Sequence, residues 1–118
     1  MPTFVLFLRE TPTTFASMSP DEMQAIIGEY SAWGQKLAQA GKLVGGQKLC
    51  DEGGRHLTAR SGTLVATDGP YAEAKEVIGG FFMVEAADYA AAEALAADCP
   101  HLRFGLMEIR QVDGSCDG

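Results

Sequence analysis

An α+β fold is predicted for this chain by three features. Strand-like and helix-like segments follow one another in a recognisable order, one helix near the N-terminus is strongly periodic, and two strands are apolar on both faces. The chain has 118 residues, 47% apolar and 21% charged. A single domain with a true hydrophobic core is therefore expected, and a disordered chain is excluded.

Residues 3–9 form the first expected strand, with Phe4, Leu6 and Leu8 on one face and Val5 and Phe7 on the other. A polar connection, Glu10 to Met18, follows. Ser19-Pro20-Asp21-Glu22 then carries several helix-start features: a capping serine, a proline suited to the first turn, and a glutamate three residues after the cap. Met23, Ile26, Ile27, Tyr30, Trp33 and Leu37 recur at helical spacing, which predicts a helix over residues 20–40 ended by Gly41. Leu43 to Cys50 reads as a strand, with Gly45-Gly46 marking a bulge or a close backbone approach. Asp51-Glu52-Gly53-Gly54 is a turn. His56 to Arg60 and Thr63 to Thr67 read as hairpin arms joined by Ser61-Gly62. Asp68-Gly69-Pro70 closes the hairpin, and Tyr71 to Glu76 is expected to form an irregular or helical turn. Val77 to Glu85 is a strand, Asp88 caps a helix of about residues 89–98, Pro100 stops it, and Arg103 to Val112 is the last strand.

Strand, helix, strand, hairpin, strand, helix, strand is the order of a ferredoxin-like βαββαβ unit with an inserted β-hairpin. Right-handed crossovers place both helices on one face of the sheet. The other face would then expose large apolar groups, which soluble monomers rarely tolerate. A second copy is the simplest cover, so a homodimer packed sheet to sheet, a dimeric α+β barrel, is expected.

Sixteen acidic against nine basic residues give a net charge of −7, so binding to nucleic acid or to a membrane surface is not expected. No apolar run approaches the ~20 residues of a membrane span. The N-terminus reads as a strand and not as a signal peptide. With no export signal, Cys50, Cys99 and Cys116 are expected as reduced thiols in a cytoplasm, although a Cys50–Cys99 disulfide is an open alternative. His56 and His101 lack metal-ligand spacing from any cysteine, and no phosphate-binding, dinucleotide-binding or nucleophile-elbow motif occurs. No metal and no cofactor are expected.

The most distinctive string is Asp68-Gly69-Pro70-Tyr71-Ala72-Glu73-Ala74-Lys75-Glu76, followed by Gly79-Gly80-Phe81-Phe82. Here the sequence resembles the YCII-related family, in the branch named for a D-G-P-F motif, with tyrosine in place of the phenylalanine. The opening strand, Leu43-Val44-Gly45-Gly46, Cys99-Pro100 and Glu108-Ile109-Arg110 extend the resemblance over nearly the whole chain. It implies a dimeric α+β barrel. Some family members are encoded beside sigma factors of the extracytoplasmic-function type. Relatives in the wider family carry a histidine on the first helix and an aspartate before a proline after the second, proposed as an active-site pair. Those positions fall on Tyr30 and Cys99 here, so the pair does not carry over. A tyrosine of pKa ~10 is a poor base at neutral pH, though it still makes hydrogen bonds.

Five residues are candidates for ligand binding. Asp68 suits a turn-forming role, or a ligand contact beside Lys75. Glu108 and Arg110 share one side of the last strand with Phe104 and Leu106, where they form a strand-end salt bridge or face a ligand. Tyr30 and Trp33 fit the first helix's core stripe. His101 reads as an exposed loop residue. The expected function is binding, with or without transformation, of a small organic molecule in a cleft lined by Tyr30, Asp68, Lys75, Glu108 and Arg110. The alternative is a non-catalytic interaction or regulatory module in a sigma-factor pathway.

Overall fold

The computed structural model describes residues 1–11, 13–50, 54–68 and 76–114, with Asp68 described through its backbone. Strand β1 (Thr3–Glu10) leads to helix α1 (Pro20–Gln39), then strand β2 (Leu43–Lys48). Strands β3 (Arg55–Arg60) and β4 (Thr63–Asp68) form a hairpin, and strand β5 (Val77–Glu85) follows. Helix α2 (Tyr89–Ala96), a short 3₁₀ helix (Pro100–Arg103) and strand β6 (Leu106–Gln111) complete the chain. The main sheet is antiparallel with strand order β2-β5-β1-β6, and β3-β4 is a separate two-stranded sheet. This is the ferredoxin-like arrangement with an inserted hairpin.

The expected caps set the helix ends. The Ser19 hydroxyl accepts from the Glu22 backbone N–H at 3.1 Å, and the Ser19 backbone N–H donates to the Glu22 carboxylate at 3.1 Å. These two bonds satisfy donors that the first turn leaves open, and the one donated by the Ser19 backbone N–H holds the Glu22 carboxyl below its ordinary range. At the other end Gly41 has φ +72°, while Lys42 and Gly41 donate to the carbonyls of Leu37 and Ala38. That Schellman closure needs the left-handed conformation glycine adopts without strain. Asp88 caps α2 by accepting from Ala91 N–H at 2.8 Å. Ser61 and Gly62, both at positive φ, make the tight turn between β3 and β4.

Both helices pack on the same sheet face. Phe4, Leu6 and Val84 from the sheet meet Trp33 and Leu37 of α1 and Ala92 and Ala96 of α2 in one core. Trp33 stands edge-on to Phe82, with ring centroids 4.9 Å apart. The opposite sheet face carries Val5, Phe7, Phe81 and Met83, half-buried, with Ile78 and Leu106 exposed. It lacks any cover from the described residues. The hairpin is exposed along both arms, including Leu57 and Leu64.

Several expectations change in detail. The last strand starts at Leu106, because Pro100–Arg103 turns as a 3₁₀ helix. Phe104 therefore precedes the strand and packs on Phe15 at 5.3 Å. The helical stripe of α1 divides: Trp33 and Leu37 are core, whereas Met23, Ile26, Ile27 and Tyr30 line a cavity. Cys50 is exposed and Cys99 buried, both as free thiols. Burial pushes the Cys99 thiol up to about 11. The expected turns at 51–53 and 69–75 lie outside the described residues.

Candidate functional site

A cavity of about 420 Å³ opens between the N-terminal half of α1 and the sheet. Its walls are mainly apolar: Leu8, Phe15, Met23, Ile26, Ile27 and Phe82, with Tyr30 and Glu10 as polar groups set deeper than Ser31, Gln47 and Lys48, which are exposed. An apolar hollow with a few fixed polar atoms is the usual composition of a small-molecule site.

Glycines shape its floor. A Cβ on Gly79 would lie 2.2 Å from a Glu10 carboxylate oxygen, and one on Gly46 would lie 2.7 Å from the Phe81 carbonyl oxygen. The register of β1 against β5 shifts between Leu8 and Arg9. That bulge and the bare Gly79 backbone make room for the Glu10 side chain, which is 6% exposed.

Tyr30 is held from behind. Its hydroxyl lies 2.7 Å from His101 Nδ1, and His101 Nε2 lies 2.8 Å from the Arg9 carbonyl oxygen. A carbonyl only accepts, so Nε2 carries a proton and donates it to Arg9. His101 is 1% exposed, and burial lowers its pKa, partly offset by the bond to Arg9. The neutral ring therefore leaves Nδ1 as an acceptor for the Tyr30 O–H. Burial first, then the neighbouring Cys99 and Glu10, raises the tyrosine pKa well above its ordinary value of 10. Tyr30 stays a neutral phenol, and His101 is a weak base. The pair is built to fix a hydroxyl in place rather than to remove a proton at neutral pH.

Further contacts secure the loop that carries His101. Asp98 accepts from Trp33 Nε1 at 3.0 Å and pairs with Lys36, while Arg103 pairs with Glu29. Hydrogen bonds from Lys36 and then Trp33 hold the Asp98 carboxyl below its usual range. Helix α1 thus grips the 98–103 segment along one side.

Only Tyr30 of the five candidate residues is seen on this cavity. Glu108 and Arg110 lie on the other sheet face, because Glu108 pairs with Phe7 and Arg110 with Val5. Arg9 donates to Glu108 at 2.7 Å, and Arg110 approaches the second carboxylate oxygen at 3.4 Å. The shared cleft expected for Tyr30, Glu108 and Arg110 is therefore corrected: strand parity separates them by the thickness of the sheet. The side chain of Asp68 and the whole of Lys75 lie outside the described residues.

Two site residues escaped sequence reasoning. His101, expected as an exposed loop residue, is buried because the 3₁₀ turn after Pro100 folds its ring under α1. No sequence pattern announces that. Glu10, assigned to the connection, ends β1, and its parity with Phe4, Leu6 and Leu8 was the signal that placed it inward. Among the described residues no group of three or more His, Cys, Asp or Glu side chains is placed to hold a metal ion. Among the described residues no helix is long and apolar enough to cross a membrane.

The YCII-related domain matches residues 3–113. Comparison with curated proteins gives no match. Among solved structures the chain is similar to 5-chloro-2-hydroxyhydroquinone dehydrochlorinase from Burkholderia phenoliruptrix AC1100, solved in complex with 2,5-dihydroxybenzoquinone. The identity is 18%, the TM-score 0.47, and the match covers 94% of this chain and 93% of that one.

Proposed function

From the premise that the chain belongs to the YCII-related family, we propose that it binds a small, mainly apolar organic molecule in the cavity between α1 and the sheet. The observation that carries this reading is the 420 Å³ hollow with one hydroxyl, that of Tyr30, tethered through His101 to the backbone. Such a hydroxyl is preorganised: it meets a ligand without first losing rotamer freedom. The lowered pKa of His101 and the raised pKa of Tyr30 favour recognition over proton abstraction. A regulatory module would need no such hollow.

The same reading includes a homodimer. Val5, Phe7, Phe81 and Met83 offer an apolar sheet face that a second copy would cover, and the Arg9–Glu108–Arg110 cluster beside them supplies polar matching. Sedimentation should give a mass near twice 12.5 kDa, and a stable monomer at micromolar concentration refutes the dimer.

The binding test is a thermal-shift screen of uncharged aromatic and aliphatic fragments. A ligand at one hundred times its Kd adds about 2.7 kcal/mol of stability. Ile27 lines the mouth and is 56% exposed, so Ile27→Trp narrows the entrance while leaving the core alone. Hits whose stabilisation disappears in Ile27→Trp support the cavity. A screen with no hits, or hits indifferent to Ile27→Trp, refutes it.

A further inference from the structure

We infer that at neutral pH this cavity selects apolar ligands bearing a hydrogen-bond donor, an N–H or O–H group, over ligands of equal shape bearing an acceptor; the inference rests on the small-molecule reading above. The reason is the direction of one chain of hydrogen bonds. The Arg9 carbonyl can only accept, so the proton of His101 sits on Nε2, 2.8 Å away. A neutral ring then has a bare Nδ1, and the Tyr30 hydroxyl 2.7 Å from it must point its proton there. Tyr30 lines the cavity, whereas His101 lies behind it. The hydroxyl proton is thus turned away from the hollow, and the oxygen lone pairs are left to face a ligand.

The other deep polar group is the Glu10 carboxyl, whose oxygens accept hydrogen bonds in either protonation state. The donors around the cavity, on Ser31, Gln47 and Lys48, belong to exposed residues at its mouth. Lys48 Nζ is already engaged with the Leu49 carbonyl oxygen at 2.6 Å. Water competes for those rim donors, so they discriminate little. Among the described residues, the deep side chain whose hydrogen-bond direction is fixed, Tyr30, offers a ligand an acceptor, and a ligand acceptor placed against it is left unpaired.

Indole and benzofuran make the comparison directly: they share a shape, but indole presents an N–H where benzofuran presents an ether oxygen. Titrated into the full chain at neutral pH by calorimetry, indole is expected to bind at least about 10-fold more tightly. Tyr30→Phe keeps the ring and removes the hydroxyl, and should bring the two affinities together by weakening indole. Long-range proton–nitrogen NMR of the unaltered protein provides a second measurement, with His101 expected as the Nε2–H tautomer. Equal affinities for the two probes, a preference for benzofuran, or an indole preference that survives Tyr30→Phe overturns this inference while the cavity's role as a binding site stands. The Nδ1–H tautomer overturns it too. Binding of neither probe, in a protein whose fragment screen gives no hits, removes both this inference and the proposed function.

Discussion

Gly105→Ala strikes the anchor of the Tyr30 hydroxyl without touching the cavity. Gly105 is not among the glycines at positive φ, so alanine is allowed there by the backbone. Space is the obstacle. A Cβ would fall 2.0 Å from the Arg9 carbonyl oxygen and 3.1 Å from both the Arg9 carbonyl carbon and His101 Nε2. Backbone must move, and the atom displaced is the acceptor of the His101 bond. Overpacking of this kind costs about 1–3 kcal/mol, and a buried imidazole N–H left without its acceptor costs about 1–3 more. The expected loss is about 2–6 kcal/mol, a substantial share of the ~5–15 kcal/mol that a domain of this size has. Urea unfolding measures it directly. On a typical unfolding entropy the midpoint falls by roughly 8–24 °C. The His101 Nε2–H proton, protected from solvent in the parent, should exchange freely in the variant. Gly45→Ala, with nothing within 4 Å of its new Cβ, is the matched control and should stay within about 0.5 kcal/mol of the parent. A Gly105→Ala protein that loses less than about 1 kcal/mol, or that keeps the protected proton, refutes the clamp.

Two further outcomes follow from the same structure. Gly28 lies inside α1 with open space around its Cβ position, so Gly28→Ala should stabilise the fold by about 0.5–1 kcal/mol through helix propensity, read as a higher urea midpoint with an unchanged slope. Burial lowers the pKa of His101 below its ordinary 6.5, so the unfolded chain binds the proton first as pH falls. The stability due to neutral His101 is therefore complete above about pH 6.5, declines as the pH drops towards the lowered folded value, and levels off below it. The carboxylates Asp98 and Glu108, held low by their cationic partners, lose their contributions only at more acidic pH. His101→Gln should flatten the dependence just below about pH 6.5; an equal slope in parent and variant refutes the assignment.

What the sequence determined alone is the part of the fold written in local chemistry. Ser19, Pro20 and Glu22 define the start of α1, Gly41 its end, Asp88 the start of α2, and Ser61-Gly62 the hairpin turn, because each acts on backbone groups within a few residues of itself. Period-two alternation in β1 likewise fixed which side chains share a face. The element order then leaves few topologies, and the observed sheet order is one of them. The candidate site was decided elsewhere. Glu108 and Arg110 look like neighbours of any pocket until pairing with β1 puts them on the face away from α1. The Tyr30–His101 bond joins residues 71 positions apart, and the His101–Arg9 bond residues 92 apart. A histidine after a proline reads as a surface residue until the 3₁₀ turn buries it. Hydrogen bonds between distant segments form only once packing has brought them together, and neither periodicity nor capping encodes that encounter.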